Sequence, residues 1–382
     1  MMDAQEREAL RTRLFQSAAT ESPDRRMQAV ERLIRDGSAE SLNVVAKALN
    51  SRDHGESQEL VLDVVQKLGL DGVAAPLYEL WLSTRHPRLT AMLSAEGWIP
   101  DFPFHLKVFH LLETGKFSEI LRGGAEVVAP LVTATRYRDG EVSDRAVHCL
   151  ENLTHPDAVD ALCAHWAVHR LPLLKRIIVA HSYLARKPAE ARVLSALLTD
   201  RPDAIENEQP DGVEPLIKAC TDQDSLVAAR ARAWAPGLRN QKAIDALAEM
   251  WVHRRTALLA DIIGEGGYVA SQPRLMRVLS ALCADRLEPL IAEGPESVSG
   301  LVTAAEDEDA AISHRARQVL ERLLENPDAQ DALCHVAVEH GSAFALEVAR
   351  DKGFRPRDVR DAALLYFLTE QWSEYEALDF DM

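Results

Sequence analysis

Apolar positions along much of the chain follow the spacing of amphipathic helices. Between Gly212 and Leu238, apolar residues recur at intervals of three or four, which is the spacing of one helix face. A polar stretch at 222–225 interrupts this pattern, and Asp224 and Ser225 are residue types that cap helix N-termini. The apolar positions are Val213, Leu216, Ile217, Cys220, Val227, Ala231 and Trp234. The segment therefore predicts two helices joined by a turn.

The N-terminal region follows the same rules. Ser22 and Pro23 are typical of a helix start, and Asp36 with Gly37 is typical of a helix end. The strict alternation of apolar and polar residues that indicates a half-buried strand is absent. The sequence predicts an all-α chain.

The chain also repeats itself in an 85-residue register. The stretches 160–170 and 245–255 both keep an Asp, an Ala-Leu pair, a Trp and a final Arg. Residues that recur in this register are Trp81, Trp166 and Trp251; Arg85, Arg170 and Arg255; Leu131, Leu216 and Leu301; and Arg145, Arg230 and Arg315. Because helices run about 10–14 residues and connections about 2–8, each unit has room for four or five helices.

Three segments carry a resemblance to a known repeat family, namely 128–150, 212–238 and 298–320. Each has an apolar first helix, an Asp-bearing turn, and a β-branched residue followed by an Arg in the second helix, and in this they resemble HEAT repeats. The Arg comes two residues later than in the family, at Arg145, Arg230 and Arg315. The resemblance implies an α-solenoid of stacked helical hairpins, similar to bacterial HEAT-like arrays. It also implies a ladder of ion pairs, Asp139–Arg145, Asp224–Arg230 and Asp309–Arg315.

This organisation predicts a single solenoid domain over 1–382. A lone hairpin cannot bury its apolar face, so stacked neighbours share one core and the terminal units are atypical. We expect 1–70 to be an N-terminal cap region, 71–353 to be tandem 85-residue units, and 354–382 to be a truncated final unit that acts as the C-terminal cap.

Composition and charge disfavour nucleic-acid binding, membrane association and a disulfide-stabilised fold. The formal net charge of −17 disfavours a nucleic-acid surface, because such binding depends on Lys and Arg neutralising phosphates. No apolar run approaches the ~20 residues that span a bilayer, so we expect no membrane association and a cytoplasmic location. The five cysteines are scattered and mostly lie in apolar helical patterns, which is typical of reduced, buried thiols.

Two clusters invite a chemical interpretation. Cys163, His165 and His169 are metal-ligand types, but the next unit has Ala248, Met250 and Arg254 there, and no fourth ligand follows at a suggestive spacing. His148 and Cys149 are adjacent, so on a helix they do not face each other as a nucleophile and its base would. We expect no metal, no cofactor and no catalytic residue.

The tryptophans are interpreted by whether they recur. Trp81, Trp166 and Trp251 share the 85-residue register and are predicted to fill the core. Trp372 does not share it. Its two readings are a packed final helix before a frayed tail, which we favour, and a short segment that a partner docks.

Acidic residues concentrate in three predicted turns that stacking would align on one edge. They are Asp139 and Glu141; Asp222 and Asp224; and Glu306, Asp307, Glu308 and Asp309. We favour the interpretation that these residues form a solvated edge that keeps the protein soluble. The alternative is that they form a docking surface for a basic partner. If a partner binds electrostatically, these residues are the expected site.

The expected function is a non-catalytic scaffold, adaptor or regulatory subunit that binds a protein partner through the solenoid surface. This expectation rests on the architecture and on the lack of a catalytic motif, so it is partly an analogy. The alternative is a HEAT-fold enzyme, because some such solenoids resemble bilin lyases and others resemble DNA glycosylases for alkylated bases. The net charge disfavours the glycosylase.

Overall fold

The computed structural model describes residues 2–16, 20–51, 55–69, 73–84, 86–95, 104–137 and 140–378. The protein is all-α and 77% helical, and these ranges contain no strand. Within them, no helix is both long and apolar enough to cross a membrane. The chain forms two compact units, Met1–His165 and Trp166–Met382, which are described separately below.

The first unit consists of helices and short connections. Its helices are α1 (Ala4–Phe15), α2 (Pro23–Asp36), α3 (Ala39–Asn50), α4 (Gly55–Leu68), α5 (Ala74–Thr84), α6 (Pro87–Ala95), α7 (Phe104–Glu113), α8 (Phe117–Leu121), α9 (Val128–Ala134) and α10 (Gly140–Glu151). A 3-10 turn at Ala125–Val127 precedes α9, and α11 (Pro156–His169) begins in this unit and ends in the second.

The second unit continues in the same way. Its helices are α12 (Pro172–His181), α13 (Ala189–Leu198), α14 (Pro202–Glu206), α15 (Pro210–Ala219), α16 (Ser225–Trp234), α17 (Gln241–Arg254), α18 (Ala257–Gly266), α19 (Arg274–Cys283), α20 (Glu288–Glu293), α21 (Val298–Ala305), α22 (Ala310–Leu323), α23 (Pro327–His340), α24 (Ala343–Lys352), α25 (Val359–Leu368) and α26 (Trp372–Glu376). Two 3-10 turns, Ala235–Gly237 and Gly294–Ser297, connect neighbouring helices.

Helix ends follow the local sequence. Helix α2 begins at Pro23 after the cap residue Ser22, and it ends before Gly37, whose φ of 63° is left-handed. The side chain of Asp224 accepts hydrogen bonds from the amides of Leu226 and Val227 at the start of α16. These predicted boundaries are confirmed.

The core is formed by the apolar faces of successive helices. Helix α13 packs on α15, and α19 packs on α21, so each helix covers the apolar face of another one further along the chain. Trp81, Trp166 and Trp251 are 1%, 2% and 2% exposed, which confirms their assignment to the core. Cys149, Cys163, Cys220 and Cys334 are also buried, as expected for thiols that act as small apolar side chains.

The expected Asp–Arg ladder is replaced by a different contact. Arg145, Arg230 and Arg315 each donate two hydrogen bonds to main-chain carbonyls at the C-terminus of an earlier helix. The acceptors are Leu112 and Glu113 for Arg145, Leu197 and Leu198 for Arg230, and Leu282 and Cys283 for Arg315. Since the last carbonyls of a helix lack intrahelical donors and carry partial negative charge, a guanidinium stabilises them. Asp224 and Asp309 cap helices instead, and Asp139 lies outside the described residues.

One histidine in the first unit is buried among aromatic side chains. His110, in α7, is 2% exposed and meets the rings of Tyr78 and Trp81 edge-on, with centroids 5.5 and 6.4 Å away. Its Nε2 atom has no hydrogen-bond partner among the described residues. Burial, together with the charge of Lys116, lowers the pKa of His110 to about 4.

We expect the unfolding free energy to fall as the pH drops from about 6.5 towards 4. In this window the unfolded chain takes up a proton on His110 that the folded chain excludes, so stability changes by at most about 1.4 kcal/mol per pH unit. His110→Phe should flatten this dependence in urea unfolding at several pH values. His314→Gln is the matched control at an exposed position. A His110→Phe variant with the wild-type pH dependence would contradict the assignment.

Candidate interaction clefts

Two open clefts lie in the second unit. Cleft A, of about 830 Å³, lies where α11 ends and α12 begins, beside α15 and the turn that follows it. It is lined by Trp166, Val168, Arg170, Pro172, Lys175, Glu190, Leu194, Pro215, Lys218, Ala219, Thr221, Asp222, Gln223 and Asp224. Cleft B, of about 660 Å³, lies where α17 ends and α18 begins, beside the turn between α21 and α22. It is lined by Trp251, Arg255, Thr256, Ala257, Ala260, Thr303, Glu306, Asp307, Glu308 and Asp309.

Both clefts contain the same arrangement of a Trp, an Arg and an Asp. In cleft A, the guanidinium of Arg170 lies 4.5 Å from the ring centroid of Trp166 and 2.7 Å from a carboxylate oxygen of Asp222. In cleft B, Arg255 lies 4.6 Å from the centroid of Trp251 and 2.9 Å from Asp307. A guanidinium held over a ring and paired with a carboxylate is fixed in position. We call the Trp, Arg and Asp of each cleft its floor, which is apolar at the ring and charged at the ion pair.

The backbone places these arginines. Arg170 and Arg255 follow the last residues of α11 and α17, and their φ angles of 51° and 46° are left-handed. Their amides donate to the carbonyls of Trp166 and Trp251 at 2.8 and 2.7 Å. Each side chain therefore returns over the tryptophan of its own helix instead of continuing along the helix face.

The two clefts differ in charge. Cleft A has three cations, Arg170, Lys175 and Lys218, against three carboxylates. Although burial opposes ionisation, the ion pair with Lys175 holds the pKa of Asp224 below its ordinary value. Cleft B has one cation, Arg255, against four carboxylates. Cleft B therefore favours a cationic group, whereas cleft A is balanced.

The structure brings together most of the acidic residues expected in the partner site. Asp222 and Asp224 line cleft A, and Glu306, Asp307, Glu308 and Asp309 line cleft B. Glu141 lies in the first unit, where it pairs with Arg145. Asp139 lies outside the described residues. Whether these acids bind a partner stays a prediction.

Most of these carboxylates already have partners within the chain. Asp309 accepts the amide of Ala311 at 2.9 Å, and so caps α22 as Asp224 caps α16. Glu306 accepts hydrogen bonds from the hydroxyl of Ser342 at 2.8 Å and the amide of Phe344 at 3.1 Å. Glu308 is exposed and has no ion-pair partner within the described part of the chain. Glu308 is thus the acid in cleft B with the most freedom to meet a ligand.

The candidate metal and nucleophile residues lie in ordinary packing positions. Cys163 is buried, His165 is half-buried and His169 is exposed. In the described residues, no group of three or more His, Cys, Asp or Glu side chains is placed to hold a metal ion. Burial raises the pKa of Cys149 to about 11, so this thiol is protonated near neutral pH.

Trp372 lies in the expected final helix, with its side chain exposed. It begins α26, as a final helix would require, but it is 52% exposed and not packed in the core. Its ring meets Phe367 and Tyr375 edge-on, with centroids 5.6 and 6.4 Å away. The expected final helix is therefore present and packs on α25, while the Trp372 side chain lies on its surface.

Comparisons with known proteins add little to this description. No family model and no curated protein sequence matches the chain. A crystal structure of an engineered protein is 17% identical over 99% of this chain and 100% of its own, with a TM-score of 0.19. A TM-score this low supports no conclusion about fold or function.

Proposed function

We propose that the chain is a non-catalytic interaction scaffold, an α-solenoid of HEAT-like 85-residue units that binds a protein partner. The helix bounds support the repeat. Helices α7, α13, α19 and α25 begin at 104, 189, 274 and 359, in the same 85-residue register. The arginine contacts to helix C-termini recur at the same interval.

The observation that carries the binding function is the recurrence of one cleft in two copies. Trp, Arg and Asp form the same floor in clefts A and B, while the surrounding residues differ. Lys175 and Lys218 of cleft A correspond to Ala260 and Thr303 of cleft B. Clefts that share the same floor but differ in the residues around it can bind different side chains of one partner. Catalysis, by contrast, needs a single constellation of reacting groups.

The charge of cleft B indicates the chemistry of that partner. One cation and four carboxylates line it, so a Lys or Arg side chain of the partner gains a favourable field there. Exposed charges are screened by salt, so association should weaken with ionic strength, mainly through the on-rate. We propose a partner segment with a basic residue that enters cleft B.

The test compares two charge reversals in the full chain. Glu308→Arg changes cleft B at an exposed acid, and Glu325→Arg makes the same change at an exposed acid outside both clefts. Each protein is immobilised and used to capture partners from an extract of the organism that encodes it. We expect a protein retained by the wild type and by Glu325→Arg, but lost with Glu308→Arg. Equal retention of all captured proteins by all three would contradict a role for cleft B.

A further inference from the structure

The end of the described chain exposes an apolar surface. Leu364, Phe367 and Leu368 of α25 are 39%, 53% and 46% exposed, and Trp372 of α26 is 52% exposed. The rings of Phe367 and Trp372 are in edge contact, and Leu364 and Leu368 lie within one turn of Phe367 on the same helix. We call these four residues the terminal face.

In the proposed repeat, the positions equivalent to Phe367 and Leu364 are covered in every earlier unit. The same main-chain hydrogen bond closes the C-terminus of four helices, and it aligns them residue by residue. In each, an amide donates to the carbonyl five residues earlier: Lys116 to Leu111, Arg201 to Ala196, Arg286 to Ala281 and Gln371 to Tyr366. In this register Phe367 corresponds to Leu112, Leu197 and Leu282, which are all 0% exposed. Leu364 corresponds to Phe109, Leu194 and Leu279, which are 5%, 3% and 4% exposed.

The covering element is the same each time. Helices α9 and α10 pack on α7, α15 and α16 pack on α13, and α21 and α22 pack on α19. The first helix of each hairpin supplies aliphatic side chains that are buried. For α15 they are Val213, Leu216 and Ile217, and for α21 they are Val298, Leu301 and Val302. The chain itself therefore shows what kind of element fits this surface.

The second helix of each hairpin adds an arginine. Arg230 pairs with Asp200 at 3.5 Å, in addition to its bonds to the carbonyls of Leu197 and Leu198. Arg315 pairs in the same way with Asp285 at 3.6 Å. Asp200 and Asp285 have left-handed φ angles of 60° and 54°.

The terminal face presents the same acceptors without the arginine. Glu370 has a φ of 56° and corresponds to Asp200 and Asp285. The carbonyls of Phe367 and Leu368 correspond to those that Arg230 and Arg315 bind. Among the described residues, no arginine donates to these two carbonyls or pairs with Glu370. A helix C-terminus beside a carboxylate is a complementary site for a guanidinium.

We propose that the terminal face binds a helical hairpin of a partner protein. Aliphatic side chains of its first helix cover Leu364 and Phe367. An arginine of its second helix donates to the carbonyls of Phe367 and Leu368 and pairs with Glu370. The inference rests on the proposed repeat but not on clefts A and B, which lie elsewhere in the second unit.

The chain provides its own probes. Synthetic peptides with the sequences of 208–238 and 296–323 contain the two hairpins that cover α13 and α19. We expect fluorescently labelled peptide to bind the full-length protein saturably at one site, measured by anisotropy. Phe367→Glu should weaken binding about tenfold or more, because it places a charge against the buried face. Leu275→Glu, at an apolar residue exposed outside the terminal face, should bind as the wild type does.

The arginine is tested in the probe and in the protein. Replacing the residue that corresponds to Arg315 by Ala in the 296–323 peptide should weaken binding about tenfold, as should Glu370→Ala in the protein, because each removes a charged hydrogen-bonding partner. The two changes combined should weaken binding less than the product of the two separate effects. Independent, fully multiplicative effects would overturn the assignment of this contact.

Other results would overturn the proposal itself. Failure of both peptides to bind would remove it. Binding lost with Glu308→Arg but kept with Phe367→Glu would place the peptide in cleft B and leave the proposed cleft function standing. Sedimentation velocity showing that the wild type dimerises while Phe367→Glu is monomeric would assign the terminal face to a second copy of the chain.

Discussion

Trp251→Ala is expected to lower the free energy of unfolding by about 3–5 kcal/mol, as the loss of a large buried aromatic side chain does. Trp251 is 2% exposed, and the guanidinium of Arg255 lies 4.6 Å from its ring centroid. Truncation therefore leaves a cavity and also removes the surface that positions Arg255 toward Asp307. The measurement is urea unfolding followed by circular dichroism.

Trp372→Ala provides the comparison within the same chain. Because Trp372 is 52% exposed, its removal leaves no enclosed cavity, and we expect a loss clearly smaller than that for Trp251→Ala. Equal losses would contradict the placement of Trp251 in the core and of Trp372 on the surface. Trp251 lines cleft B and Trp372 belongs to the terminal face, so the two variants change different proposed binding surfaces.

Local features of the fold were predictable from the sequence. The start of α2 after Ser22, its end before Gly37 and the cap of α16 at Asp224 depend on residues within one helical turn. The buried tryptophans were predictable because Trp81, Trp166 and Trp251 recur in helices with a consistent apolar face. In the first case the determining interactions are close in sequence, and in the second the same residue type recurs at one spacing along the chain.

The partners of the arginines were not predictable in the same way. Asp224 caps α16 and Arg230 lies further along the same helix, so with about 100° per residue the two side chains do not share a helix face. Arg230 instead reaches the carbonyls of Leu197 and Leu198, at sequence separations of 33 and 32. That contact depends on how α13 and α16 pack, which a pattern of apolar positions does not specify.

The candidate site was predictable by location but not by its contacts. Two of the three acidic turns line clefts A and B, whereas Glu141 of the third lies in the first unit and pairs with Arg145. However, composition cannot show that Asp309 is used as a cap or that Asp222 is held by Arg170. A usable signal did exist, because Arg170 and Arg255 share the 85-residue register and so do Asp222 and Asp307. Joint recurrence of opposite charges at one sequence spacing indicates an ion pair.

The same signal marks a buried ion pair that sequence reasoning missed. Arg192 bonds Glu208 through two nitrogens, with the shorter contact at 2.6 Å. Arg277 and Glu293, each 85 residues further along the chain, form an ion pair as well. The side chain of Glu208 is 2% exposed. Its hydrogen bonds raise the pKa of Arg192 above the ordinary value. The carboxylate is therefore desolvated and depends on this arginine for most of its compensation.

Arg192→Met should lower the free energy of unfolding by about 3–5 kcal/mol near neutral pH, because it leaves a buried carboxylate without its cation. Methionine keeps most of the length of the side chain, so the change is mainly one of charge. Arg201→Met is the matched control, since Arg201 pairs with Asp203 where both side chains are about half exposed or more, and we expect a much smaller loss than for Arg192→Met. Urea unfolding of both variants at one pH gives the comparison.

A double variant distinguishes two contributions to the free energy of unfolding, the destabilisation by an unpaired buried charge and the stabilisation by the ion pair itself. Replacing both partners of a buried ion pair by apolar residues is often nearly neutral, whereas removing one partner is not. We therefore expect Arg192→Met combined with Glu208→Met to be more stable than Arg192→Met alone. Part of the loss should persist, because Glu208 also accepts the amide of Gln209 at 2.7 Å. Glu208→Met alone is measured as well. If the double variant instead loses the sum of the losses of Arg192→Met and Glu208→Met, the carboxylate of Glu208 is compensated by other groups, and the arginine stabilises the fold through its packing.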